Sequence, residues 1–211
     1  VLALASPALA TPWHDCPPAE STPLPGFGAA EPDPPRESRG LIVRDGPVLR
    51  LRHAGGIAEF RDGDCESAHA GPDTCFAYRH VGHFAALPGF LLQHWLWEGD
   101  RWLWLDARDG RVREFIAQPR LSPDGRLLAV VSAAEAHNDN AIEIWSRDPL
   151  ARLWRHVPAG YGLYRFLGWE GEAALRLCVT MRQGDALATQ PVRLERAGEG
   201  WRLTGRDAPP P

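Results

Sequence analysis

From Gly40 to Gly205 the sequence sets short β-rich runs beside turn dipeptides, and this punctuation constrains the fold more than any other feature. The dipeptides are Asp45-Gly46, Gly55-Gly56, Asp62-Gly63, Gly99-Asp100, Asp109-Gly110 and Asp124-Gly125. Glycine and aspartate supply the positive-φ or side-chain-bonded conformations that tight turns require. Between them lie runs rich in aliphatic, β-branched and aromatic residues, among them 48–52, 57–61, 75–80, 90–97, 102–106, 111–116, 127–132, 141–146 and 175–180. No long stripe at helical spacing competes with them. The pattern is that of an all-β meander.

One hairpin can be drawn residue by residue. A two-residue turn at Gly99-Asp100 sets Glu98 opposite Arg101, Trp97 opposite Trp102 and Trp95 opposite Trp104. Leu96 and Leu103 then occupy the other face. Large aromatics dominate cores, so the four tryptophans are expected to pack against a neighbouring sheet. The competing expectation is an exposed aromatic surface of Trp95, Trp97, Trp102 and Trp104 that stacks on sugars or on a protein.

Composition bounds the rest. A chain of 211 residues, 44% hydrophobic and 24% charged, suits a globular protein with a sizeable core. Its formal net charge of −4 offers no basic stripe for nucleic acid. All 23 basic residues are arginine, which reads as a compositional bias before it reads as a selected role. No run approaches the ~18 apolar residues of a membrane span.

Residues 1–10 end in the small-x-small pair Ala8 and Ala10 behind an apolar stretch, as in the tail of a secretory signal peptide. A periplasmic or secreted location is therefore expected. Residues 11–39 carry Pro12, Pro17, Pro18, Pro23, Pro25, Pro32, Pro34 and Pro35 and read as an extended arm, since proline lacks a backbone donor. The blade-forming domain is then 40–205, followed by a short tail at 206–211. Four cysteines, Cys16, Cys65, Cys75 and Cys178, suit an oxidising compartment and permit three pairings. Closing the polar loop between Cys65 and Cys75 is the economical choice, which leaves Cys16 with Cys178.

The most informative segment is Ser122-Pro123-Asp124-Gly125 with the apolar run 127–132, followed after a polar loop by Ala141-Ile142-Glu143-Ile144-Trp145-Ser146. Pro123 presets a turn that Asp124-Gly125 complete, and Ile142 and Ile144 share one face of the next strand with Trp145 on the other. This resembles the WD-repeat-like β-propeller unit of the Tol-system periplasmic propeller and its exported relatives. The resemblance implies antiparallel blades of roughly 40 residues, about four in this length. The expected architecture is a small or partial β-propeller-like domain, with a twisted β-sandwich as the alternative.

Candidate chemistry is sparse. His80 and His83, with His94 nearby in sequence, form the best histidine cluster, but residues three apart face opposite sides of a strand unless a bulge intervenes. The segment 135–140, Glu-Ala-His-Asn-Asp-Asn, is oxygen-rich yet lacks the glycine-punctuated pattern of calcium loops. No Gly-x-Ser-x-Gly elbow is present. Neither metal nor cofactor is expected. The expected function is a non-enzymatic, exported binding or scaffold protein presenting blade loops to a protein or cell-envelope partner. An exported hydrolase of glycan or peptide, and glycan binding through exposed tryptophans, are the alternatives.

Overall fold

The structure is a computed structural model that describes residues 16, 38, 40–83, 88–133, 140–158 and 162–205. The signal-like segment 1–10, most of the proline-rich arm, the oxygen-rich residues 135–139 and the tail 206–211 lie outside the described residues.

Four antiparallel sheets follow one another along the chain, each a simple meander. Sheet I holds β1 (Ile42–Asp45), β2 (Val48–His53) and β3 (Gly56–Arg61). Sheet II holds β4 (Phe76–His83), β5 (Gly89–Leu96), β6 (Gly99–Asp106) and β7 (Val112–Phe115). Sheet III holds β8 (Arg120–Leu121), β9 (Leu127–Ser132), β10 (Ala141–Ser146) and β11 (Ala151–His156). Sheet IV holds β12 (Gly162–Trp169), β13 (Ala174–Gln183), β14 (Ala186–Ala197) and β15 (Gly200–Thr204).

The sheets pack face to face in series, and strand composition shows why. A strand buried on one face alternates apolar and polar residues, whereas one buried on both faces reads as a continuous apolar run. In β2, Leu49 and Leu51 alternate with arginines and meet Phe90, Leu92, Leu103 and Leu105 of sheet II. The runs Phe90-Leu91-Leu92 and Trp102-Leu103-Trp104-Leu105 give their other residues to a second interface, where Leu91, Trp102, Trp104 and Phe115 meet Leu128 and Val130 of sheet III. Ala129, Ile142 and Ile144 face the opposite way, against Leu175, Leu177, Val179, Val192 and Leu194 of sheet IV. Sheet IV alternates again, and its other face carries Arg176, Arg193 and Arg202.

The outer faces of sheets I and IV are ion-paired. Arg50 lies 2.7 Å from Glu59 and 3.2 Å from Asp45 on sheet I, and Arg193 and Arg202 both engage Glu195 on sheet IV. Charged terminal faces are what a serial stack needs to stop growing.

Both disulfides are formed. Cys65–Cys75 closes the connection between β3 and β4, and Cys16–Cys178 ties the N-terminal side of the chain to the outer face of β13. The turn at Ser122 is fully bonded: its hydroxyl donates to Asp124 Oδ1 at 2.6 Å and accepts the Leu127 N–H at 2.9 Å. Gly125 N–H closes the turn on the Ser122 carbonyl at 2.8 Å. In β10, Ile142 and Ile144 do face one core, and Trp145 faces the other, with its ring edge-on to Phe115 at 5.1 Å.

The tryptophan hairpin corrects the expected register. The turn falls at Trp97-Glu98, so Leu96 pairs with Gly99, Gln93 with Trp102 and Leu91 with Trp104. Trp95 faces Asp100, Arg101 lies across from His94 and 3.3 Å from Glu114, and Glu98 falls within the turn. The observed register matches Phe90, Leu91 and Leu92 to Leu105, Trp104 and Leu103. The expected one would have matched them to Asp109, Arg108 and Ala107 of the following turn. It also uses Gly89, where an added Cβ would sit 2.2 Å from the Trp104 ring.

Candidate functional site

Three hairpin turns come together at one end of the first three sheets. The Ala54 N–H in the β2–β3 turn donates to the Ala107 carbonyl in the β6–β7 turn at 2.7 Å. Gly110 of the latter turn has φ +73°, and a Cβ there would fall 2.4 Å from the His53 ring, so only glycine lets the two turns seat. The β6–β7 turn then reaches the β10–β11 turn through Arg108. This guanidinium contacts both oxygens of Asp106, at 3.0 Å from Nε to Oδ1 and 2.7 Å to Oδ2, and lies 3.5 Å from Asp148.

Between the β6–β7 hairpin and the β10–β11 turn lies a cleft of about 210 Å³. Its apolar side is Trp104, Pro149 and Leu150. Three guanidiniums, Arg108, Arg111 and Arg113, line the rest with Asp106 and Asp109. Register explains the grouping: Arg113 pairs directly with Trp104 across β6 and β7, which puts both on the face toward sheet III. Arg111 lies 3.3 Å from Asp109, whose Oδ1 accepts the Arg111 backbone N–H at 2.9 Å. Arg113 makes no ion pair among the described residues.

The Arg108 hydrogen bonds hold the Asp106 carboxyl below the usual carboxylate range, and Asp106 in turn raises the Arg108 guanidinium above its ordinary value. An acid held ionised this way is a clamp for its base and is poorly suited to proton transfer near neutral pH.

A second polar cluster sits between sheets II and III. The Glu143 carboxylate, 2% exposed, accepts the Trp145 indole N–H at 3.0 Å and an Arg152 N–H at 2.9 Å, with Arg155 at 3.5 Å. Arg152 also lies over the Trp145 ring at 5.7 Å. This network joins β10 to β11.

The candidate residues read from the sequence fall elsewhere. His80 is buried opposite Leu92 with its ring 6.5 Å from Phe90, and His94 stacks on Tyr78 at 4.3 Å. Burial first, and Arg101 second, lower the His94 pKa. A bulge after His80 places His83 opposite Phe90 in the ladder. Among the described residues no three histidine, cysteine or acidic side chains gather as metal ligands.

The four tryptophans divide. Trp102 and Trp104 are core at 7% and 2% exposure, Trp95 is half-buried, and Trp97 in the turn is exposed at 48%. They form no continuous aromatic surface: Trp102 and Trp104 pack into the interface with sheet III, whereas Trp97 sits in the exposed turn.

Sequence reasoning missed Arg108, Arg111 and Arg113. Their signal was the segment Arg108-Asp109-Gly110-Arg111-Val112-Arg113, three guanidiniums in a single hairpin, hidden by the arginine-only composition. The molecule is thus an all-β protein of serially packed antiparallel sheets with a guanidinium-lined cleft at one end. No protein-family model, no curated protein and no solved structure matches the chain.

Proposed function

We propose that the chain is a non-enzymatic binding or scaffold protein of an oxidising, extracytoplasmic compartment, which presents the hairpin turns at one end of its sheets to a protein or cell-envelope partner. The observation that carries this reading is the Asp106–Arg108–Asp148 bridge. It bridges the turns of sheets II and III, and it commits the cleft's most enclosed carboxylate to holding a guanidinium. Rigid turns on packed sheets make a preorganised surface, and preorganisation lowers the entropic cost of association. The two disulfides support the compartment. The serial meanders, four-stranded in sheets II to IV, and the Ser122 turn support the view that the sheets are propeller-like blades.

The test is affinity capture of the disulfide-bonded protein from an envelope extract, with Arg108→Ala and Arg202→Ala as paired variants. A partner retained by wild type and by Arg202→Ala, and lost with Arg108→Ala, is the expected result. Turnover in a hydrolase substrate screen with no specific partner recovered would overturn the reading.

A further inference from the structure

We infer that the cleft beside Arg113 is a carboxylate-binding site, and that its occupant is an acidic side chain of a partner polypeptide; this rests on the binding-protein reading above. Three observations carry it. The first is charge bookkeeping. Arg108 is held by Asp106 and Asp148, and Arg111 by Asp109, whereas the Arg113 guanidinium lines the cleft with no ion pair among the described residues. A guanidinium presents a planar fork of donors that matches a carboxylate in a bidentate pair.

The second is the wall. Trp104, Pro149 and Leu150 line the side facing sheet III, so water is replaced there by apolar surface. A charge pair formed against such a wall is screened less than one in open solvent. The same wall gives the methylenes of an acidic side chain somewhere to pack.

The third is size. At about 210 Å³ the cleft is smaller than the roughly 300–1,000 Å³ of pockets that enclose whole small molecules. It holds a single carboxylate-bearing group. A side chain anchored in a longer chain, which spreads its remaining contacts over the neighbouring turns, fits better than a free acid that must bind through this group alone.

The experiment is an NMR titration of the full disulfide-bonded chain at low salt. The probes are a capped Gly-Glu-Gly-Glu-Gly peptide, its Gln analogue and free succinate. The expected result is saturable shifts of the backbone amides of residues 109–113 with the acidic peptide, much weaker binding of succinate, and none of the Gln analogue. Arg113→Ala should weaken the peptide by about tenfold or more, as for loss of a charge-assisted pair. Arg113→Lys should retain part of the affinity, and Arg202→Ala on the far face of sheet IV should retain all of it. Peptide binding that is unchanged in Arg113→Ala, equal for the Gln analogue or absent overturns the inference. Succinate binding as tightly as the peptide overturns the polypeptide occupant. Should capture of an envelope partner survive Arg113→Ala while the peptide fails to bind, this inference falls and the binding-protein reading stands.

Discussion

The indole N–H of Trp145 donates to the buried carboxylate of Glu143, 3.0 Å away and two residues back along the same strand. Both side chains lie on the sheet II face of β10, where Arg152 and Arg155 from β11 complete the carboxylate's partners. The arginines stay partly in water, so they relax if Glu143 is lost, whereas the indole N–H is left without its acceptor. Glu143→Ala is therefore expected to destabilise the fold by about 1–3 kcal/mol, and Glu143→Gln, which keeps an acceptor, by less. Urea denaturation of the two variants against wild type measures the difference.

The two disulfides should differ in weight. Loop-closure entropy gives about 5 kcal/mol for Cys16–Cys178, at a sequence separation of 162, and about 3 kcal/mol for Cys65–Cys75, at a separation of 10. The double variant Cys16→Ser with Cys178→Ser should therefore lower the denaturation midpoint more than Cys65→Ser with Cys75→Ser. Peptide mapping without reductant should recover Cys16 joined to Cys178; two free thiols at those positions would refute the pairing.

Acid should loosen the packing between sheets before it titrates the surface carboxylates. Burial lowers the pKa of both His94 and His156 below the ordinary histidine value of 6.5. His156 sits stacked on Trp154 with its Nε2 3.2 Å from the Tyr164 hydroxyl. The unfolded chain takes up protons near pH 6.5 while the folded chain resists them, so stability is full above that pH and falls as pH drops toward the lowered folded values. The carboxylates held low by hydrogen bonds, Asp106 to Arg108, Asp124 to Ser122 and Glu195 to Arg202, add a further loss only below the ordinary carboxylate range. Thermal melts across pH 4–7 should show a decline that His156→Phe makes shallower; an identical slope in that variant would count against the assignment.

The contact between the first two hairpin turns rests on one glycine. Gly110→Ala introduces a side chain at φ +73° and drives its Cβ into His53. The combined strain should cost at least about 1–2 kcal/mol. Replacing His53 with alanine in the same molecule should relieve the clash and leave the backbone strain, so the double variant should recover part of the loss. Calorimetry of the single and double variants separates the two contributions.

How much of this was legible in the sequence depends on the range of the interactions. The Ser122 turn was, because every partner of its side chain lies within five residues. The facing of Ile142 and Ile144 was, because period-two alternation needs no knowledge of the neighbour. The tryptophan hairpin was not: Gly99-Asp100 carries the local turn signal, but pairing Phe90, Leu91 and Leu92 with Leu105, Trp104 and Leu103 outweighs it. The strand parity survived, since the pairing moved by an even number of residues. The cleft was illegible for a different reason. Its residues come from two hairpins about forty positions apart, joined by an Arg108–Asp148 contact that no local pattern announces.

The bond between Cys16 and Cys178 also changes what cutting the chain means. The backbone from one sulfur to the other is a covalent ring that threads sheets I to III and ends in the middle of sheet IV. A protease that severs any one peptide bond within it releases nothing. The clipped molecule keeps its mass, and its pieces keep their neighbours, until a reductant parts them. On a gel, such nicking would stay invisible until the thiols are freed.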